Sequence, residues 1–249
     1  MTTDFDKGHL AEQYKKVKEQ QWRSRIETYS LMKLIGDVSG KKVLDVACGE
    51  GHFTRILRRA GASKVVGVDI SERMIELARD QEAQAPTGIE YRVEDARSVV
   101  PSQEFDLVVA AWLLVYARDR TELARMCRGL ASRLKPGGRF VTFTTNPGVY
   151  DFRPPPNYKD YGFDIELADQ VCDGAPITWS GYVDGSRIEV ENYYLPVAAY
   201  EAAFSDAGFH GFTVHAPELS PSPDGSDDRE YWRYFLEHPP TILIDCVKD

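Results

Sequence analysis

Cysteine is scarce in this chain of 249 residues. Cys48, Cys127, Cys172 and Cys246 lie far apart and form no C-x-x-C pair, which argues against a disulfide framework or a cysteine-based metal site. The five histidines show no ligand spacing either: His210 and His215 fall on opposite faces of a predicted strand, so no metal is expected. Apolar runs of membrane-spanning length are missing, and the opening MTTDFDKGH has no signal-peptide core. A cytoplasmic setting without membrane association follows as the expectation. Basic residues are outnumbered, 30 against 39 acidic, for a net charge of -9. Such a chain repels nucleic acid on average, and it has neither a basic cluster nor an internal repeat.

What is present is 43% hydrophobic residues, enough for a substantial core, and one stretch around which the rest is organised, Lys41-Lys-Val-Leu-Asp-Val-Ala-Cys-Gly-Glu-Gly-His-Phe-Thr54. Val43 to Val46 reads as a short buried strand. Ala47, Gly49 and Gly51 follow at alternate positions, and Phe53, Ile56 and Leu57 then begin a helical spacing. The glycines let the backbone approach a ligand closely, in the crevice beyond the carboxyl ends of a parallel sheet.

A dinucleotide site would show G-x-G-x-x-G and leave the helix N-terminus free for pyrophosphate. Here the third glycine is absent, Asp45 lies near the strand end and Glu50 sits inside the turn. Two carboxylates repel a pyrophosphate and suit a cation, which makes S-adenosylmethionine, a cationic nucleoside without phosphate, the candidate ligand.

The segment Val43 to Gly51 resembles the first motif of the class I S-adenosylmethionine-dependent methyltransferases, with Ala47 where the first glycine usually stands. Further landmarks of that family follow in order as far as Val141. Lys64-Val-Val-Gly-Val-Asp69 reads as a second strand, and Asp69 falls about 20 residues after Gly49, the distance at which an acidic residue meets a ribose. Ile70 then lies along the adenine, Ser71 caps a helix, and Met74 on that helix is a further cofactor candidate. After a third strand at Tyr91, the resemblance gives Asp95 to the adenine amine and the Ala96 N–H to a ring nitrogen. The most apolar strand, Phe105 to Ala111, is expected at the sheet centre. It leads to Ala111 and Trp112 as cofactor walls and to Tyr116 on the acceptor side. Asp119 with Glu122 resembles a capping box for a helix to about Leu134, and Leu134-Lys-Pro-Gly-Gly-Arg-Phe140 is expected to form a tight turn into the fifth strand.

Outside this pattern, Leu10–Lys18 and Trp22–Leu34 read as helices, with Tyr14 a candidate to reach the cofactor. Gly148 to Phe163 reads as an irregular Pro- and aromatic-rich insertion. Ile177–Tyr182 and Arg187–Tyr193 read as a hairpin turning at Asp184-Gly185. Tyr150, Trp179 and Tyr194 are its acceptor-side candidates. A helix over Pro196–Ala207, a solvated loop at Ser220–Asp228 and two strands, Phe209–His215 and Thr241–Val247, complete the chain.

The expected fold is a single Rossmann-like α/β domain: a seven-stranded, mostly parallel sheet with an antiparallel edge hairpin and helices on both faces. Its parts are an N-terminal helical lid (1–40), a cofactor core (41–146), an acceptor lid (147–194) and the end of the sheet (195–249). The expected activity is in-line methyl transfer from S-adenosylmethionine to a small, flat, partly aromatic acceptor, leaving S-adenosylhomocysteine, by a monomer or homodimer. His52 is the candidate base. The N-terminal A-E-Q-Y-K-K-x-K-E pattern and C-G-E-G-x-x-T-R also look similar to N-methyltransferases of bacterial secondary metabolism that act on azapteridines of the toxoflavin type. Rival readings are a protein or nucleic-acid methyltransferase on the same fold and a non-catalytic partner that binds the cofactor.

Overall fold

The computed structural model describes residue 6 and residues 20–100, 104–183 and 186–249. In β1 (Lys42–Val46), alternate residues serve opposite faces: Val43 belongs to one core cluster, Leu44 and Val46 to another. A strand has that pattern when its sheet is covered on both sides. In chain order follow β2 (Lys64–Asp69), β3 (Glu90–Val93), β4 (Phe105–Val109), β5 (Leu134–Thr145), β6 (Phe163–Leu167), β7 (Pro176–Val183), β8 (Ser186–Tyr193), β9 (Phe209–His215) and β10 (Thr241–Lys248). The main sheet runs β3-β2-β1-β4-β5-β10-β9. Its first five strands are parallel, while β10 pairs antiparallel with both β5 and β9. This is the expected seven-stranded Rossmann-like sheet with its antiparallel edge. Strand order reverses at β1, which lies between β2 and β4, so the crevice at its carboxyl end is the place for a ligand.

A π-helical turn, Arg23–Thr28, leads directly into α1 (Tyr29–Ile35). With α2 (His52–Arg59) and α3 (Glu72–Gln84), α1 covers one face, where Leu31, Leu57 and Ile75 share a core. The other face carries α4 (Arg120–Ala131) and α5 (Val197–Asp206), through Leu123 and Phe204 among others. The capping residues act as the sequence reading expects. Ser71 Oγ accepts from Met74 N at 3.1 Å, and Asp119 accepts from Glu122 N at 2.8 Å.

Several elements differ from expectation. The Lys135–Gly138 stretch is a bulge within β5 instead of a free turn: Phe105 pairs with Leu134, and Leu107 with Arg139. The bulge keeps Pro136, which has no N–H, out of the ladder, and Lys135 is held by Asp106 at 2.6 Å. α4 accordingly stops at Ala131, short of Leu134. β4 ends at Val109 because the chain reaches a positive φ of 65° at Trp112. Two elements were not foreseen. β6 joins the hairpin of β7 and β8 in a separate antiparallel sheet, and α6 (Arg229–Glu237) packs Trp232 and Phe235 into the same core cluster as Phe163 and Trp179. The helix expected at Leu10–Lys18, the cofactor candidate Tyr14 and the turn at Asp184-Gly185 lie outside the described residues.

Gly129 shows how closely α4 approaches the β3 loop, since an added Cβ would run into the Ala96 carbonyl oxygen. Overpacking against backbone costs about 1–3 kcal/mol. Gly129→Ala should therefore lower the urea midpoint by a corresponding amount, and an unchanged midpoint would show that the helix shifts away freely.

Candidate active site

The bend after β1 is built from left-handed backbone: Ala47 has φ 58°, Gly49 φ 56° and Gly51 φ 85°. For a residue with a Cβ this region costs about 1–2 kcal/mol, so Ala47 is strained where a glycine would not be. Three contacts hold the bend. Asp69 at the tip of β2 accepts from Gly49 N at 2.8 Å through one carboxylate oxygen and from Ser71 N at 2.9 Å through the other. Asp45, 1% exposed, accepts from Thr54 Oγ1 at 2.6 Å and so ties the strand to α2. Cys48 N donates to Val68 O at 3.0 Å. Gly51 has no room for a side chain, because a Cβ there would meet the Tyr91 hydroxyl.

Above the bend lies a cavity of about 300 Å³. Asp45, Ala47, Gly49, Asp69, Ile70, Met74, Asp95, Ala96, Ala111, Trp112 and Tyr116 all line it. These are the sequence candidates from four strand ends, brought together in one place. Gly51 and His52 do not line it. Gly51 shapes the bend from below, and His52 starts α2 with its ring edge-on to Phe53 at 5.0 Å. Tyr150 and Tyr194 lie outside the lining too: they pack against each other at 5.2 Å, and the Tyr150 hydroxyl donates to Pro176 O at 3.0 Å.

Sequence reasoning missed Cys48, Phe53, Glu94, Arg97, Leu113, Arg118, Glu122 and Met126; all eight line the cavity. A signal existed for part of this group. Glu122 and Met126 stand four apart on α4 and share a face. Glu122 was visible only as a cap, yet its carboxylate accepts from Arg118 Nη2 at 2.5 Å and Arg118 N at 3.0 Å. Those Arg118 hydrogen bonds hold the Glu122 carboxyl at about 2. Asp95 is lowered too, chiefly by the Arg97 guanidinium, which donates at 2.6 Å. Both groups are therefore anionic at neutral pH. Five carboxylates and two guanidiniums line the cavity, between apolar walls such as Ile70, Ala96 and Ala111. That donor set and shape fit a cationic nucleoside: carboxylates for hydroxyl, amine and positive charge, and flat apolar surface for a base. Among the described residues, no cluster of three His, Cys, Asp or Glu side chains is placed to hold a metal ion.

A second, smaller cavity of about 40 Å³ adjoins the first, and Trp112 and Tyr116 line both. Trp179, an acceptor-side candidate, lines this second space. Its floor is aromatic: Trp22 lies 5.1 Å from Phe163, 6.2 Å from Trp179 and 6.3 Å from Trp112, ring centre to ring centre. The π-helical turn supplies Arg23, stacked 4.2 Å over Trp22 and paired with Glu27 at 3.0 Å. Glu27 also accepts from Trp112 Nε1, which fixes the indole between the two cavities.

The Glu122 carboxyl has a folded value below its ordinary 4.5. Its contribution to stability is thus fully present above about pH 4.5 and lost as pH falls through about 2. Glu122→Gln should destabilise the protein most at about pH 5–7, with the deficit relative to wild type shrinking towards about pH 2 in urea unfolding. A deficit that is constant with pH would remove the ion pair as its cause.

The family described as "Methyltransferase domain" matches residues 43–138, the span from β1 to the β5 bulge. A ubiquinone biosynthesis O-methyltransferase from Bordetella avium is 31% identical over 126 residues, 49% of this chain and 51% of its own length. One of the same name from Coxiella burnetii is 32% identical over 140 residues, 56% and 54% of the two chains. The chain spans about half the length of the curated relatives it matches. Among solved structures, an S-adenosylmethionine-dependent methyltransferase from Mesorhizobium loti superposes with a TM-score of 0.63 at 26% identity, covering 89% of this chain and 97% of its own. Another from Clostridium acetobutylicum gives a TM-score of 0.67 over 95% and 98% at 16% identity, a likeness of fold. Residues 43–138 therefore match a methyltransferase domain, the chain shares its fold with S-adenosylmethionine-dependent methyltransferases, and S-adenosylmethionine is the cofactor that goes with that match.

Proposed function

We propose that the whole chain transfers a methyl group from S-adenosylmethionine to oxygen or nitrogen of a small, flat, partly aromatic metabolite, of the kind made in bacterial secondary metabolism. The observation that carries this reading is the pair of adjoining cavities, one acidic and one aromatic, with Trp112 and Tyr116 in both linings. The relatives named for O-methylation in ubiquinone biosynthesis add weight to an oxygen acceptor. A small metabolite, and not a nucleic acid or a membrane, suits the net charge of -9, and a cytoplasmic setting is part of the same reading. No helix among the described residues is long and apolar enough to cross a membrane.

In this reading Asp69 takes the ribose hydroxyls, and each of its oxygens already accepts from a backbone N–H that fixes its direction. Asp95 and the Ala96 backbone take the adenine edge. Ile70, 61% exposed, and Met74 lie along its face. Ala47, Gly49 and Ala111 border the methionine moiety. When bound, S-adenosylmethionine supplies a methyl on a sulfonium, open to in-line displacement. Trp112 sets the line of approach, since its indole is anchored by Glu27 and its backbone N–H by Phe143 O at 2.8 Å. Orientation of this kind is worth effective molarities of about 10⁵–10⁸ M in well-aligned reactions, and closure of the aromatic side excludes water. His52 lies outside both linings, and we give it no proton-transfer role.

Asp69→Asn keeps an oxygen for one backbone N–H and loses the anion. Calorimetry should show S-adenosylmethionine bound about 10- to 100-fold more weakly, the range expected for a hydrogen bond to a charged group, with thermal unfolding reporting an intact fold. Unchanged affinity would remove the ribose role.

A further inference from the structure

Two buried, uncharged donors at the second cavity have nothing to bond. Trp179 is 8% exposed and Asn192 2%. Both line that cavity, and neither Trp179 Nε1 nor Asn192 Nδ2 has a hydrogen-bond partner among the described residues. The other side of the Asn192 amide is used, because its Oδ1 accepts from Thr145 Oγ1 at 3.1 Å. A buried polar group without a partner is costly, so two at one small cavity mark a place where something else completes the bonding.

Size and charge narrow what that is. A single water needs about 10–15 Å³ and a cavity that admits benzene is about 150 Å³. At about 40 Å³, this space takes an atom or two of a larger molecule and not a ring. Arg23 and Glu27 balance one another beside it, so a neutral group is matched. Two N–H donors suit the two lone pairs of one carbonyl oxygen. The rings of Trp112 and Tyr116 continue from this pocket into the larger cavity, where the carrier of that oxygen would lie.

We infer that this pocket recognises a carbonyl oxygen on the edge of a planar aromatic acceptor, through hydrogen bonds from Trp179 Nε1 and Asn192 Nδ2. Its place as the inner end of the acceptor site rests on the methyl-transfer reading above. The binding preference itself does not depend on it. A molecule with the same outline and no such oxygen leaves both donors unpaired and is rejected.

The test uses indan-1-one and indane, matched in shape and differing in the carbonyl. Titrated into the full chain by calorimetry, indan-1-one should bind at least about tenfold more tightly. In ¹⁵N-labelled protein the Trp179 indole N–H resonance, identified by its loss in Trp179→Phe, should move with indan-1-one and stay in place with indane. Trp179→Phe preserves the stack on Phe163, whose ring lies 5.0 Å away, and should cut the preference to about threefold or less, as should Asn192→Leu. Should Asn192→Leu fail to fold, Trp179→Phe and the indole shift decide alone. Equal binding of the two probes, an unmoved Trp179 indole, or a preference that survives in Trp179→Phe overturns the inference. The same samples titrated with S-adenosylmethionine separate the two claims. Loss of cofactor binding with the ketone preference intact counts against methyl transfer only, and the converse against the pocket only.

Discussion

The structure depends on a backbone that turns the wrong way for L-residues at the end of β1, with the Asp69 carboxylate among the contacts that hold it there. Ala47, Gly49 and Gly51 all take positive φ, and Asp69 reaches across from β2 to receive the Gly49 N–H. That tie helps to keep the bend at the mouth of the crevice. With it, the ends of β1, β2, β3 and β4 present their residues to a single space. Asp69 also receives the Ser71 N–H, so the same side chain sets where α3 begins.

Trp112 plays the corresponding part on the other side. It joins Ala47 in holding positive φ with a side chain, a strain that persists only where the surroundings impose it. Its indole is held by Glu27 from the π-helical turn and by the rings of Trp22, Phe143 and Trp179. Irregular helical turns of this type often occur at functional sites. Here the wider turn places Arg23 and Glu27, both buried, beside the aromatic cavity. The N-terminal region, the core sheet and the three-stranded sheet thus meet around three indoles, those of Trp22, Trp112 and Trp179.

Most of the fold was legible in the sequence because its signals are local. Apolar runs with a carboxylate at or next to their ends mark β1 and β2, and Ser71 and Asp119 announce their helices as caps. The bulge at Lys135–Gly138 was misread because Pro-Gly-Gly carries the same signal in a turn as in a strand that steps out of register. β6 alternates Phe163, Ile165 and Leu167, a period that was open to reading but hidden beside an insertion of prolines. The candidate site divides in the same way. Residues at strand ends could be found from position alone. Arg97 and Arg118 could not, and the shared helix face of Glu122 and Met126 did not say what it met, since it is the packing of α4 against the β3 loop, through Gly129 and Ala96, that brings them to the cavity. Tyr150 and Tyr194, chosen for their ring type, pack against each other outside the lining of both cavities.

The surplus of anionic groups around the larger cavity has a consequence for release. A sulfonium that has given up its methyl becomes a neutral thioether, while the nucleoside keeps its shape and its hydrogen bonds. Asp45, Asp69, Glu94 and Asp95 line that space, and the part of their Coulombic attraction that is due to the sulfonium goes with its charge. On the proposed methyl-transfer reading, the reaction itself thereby loosens the spent ligand.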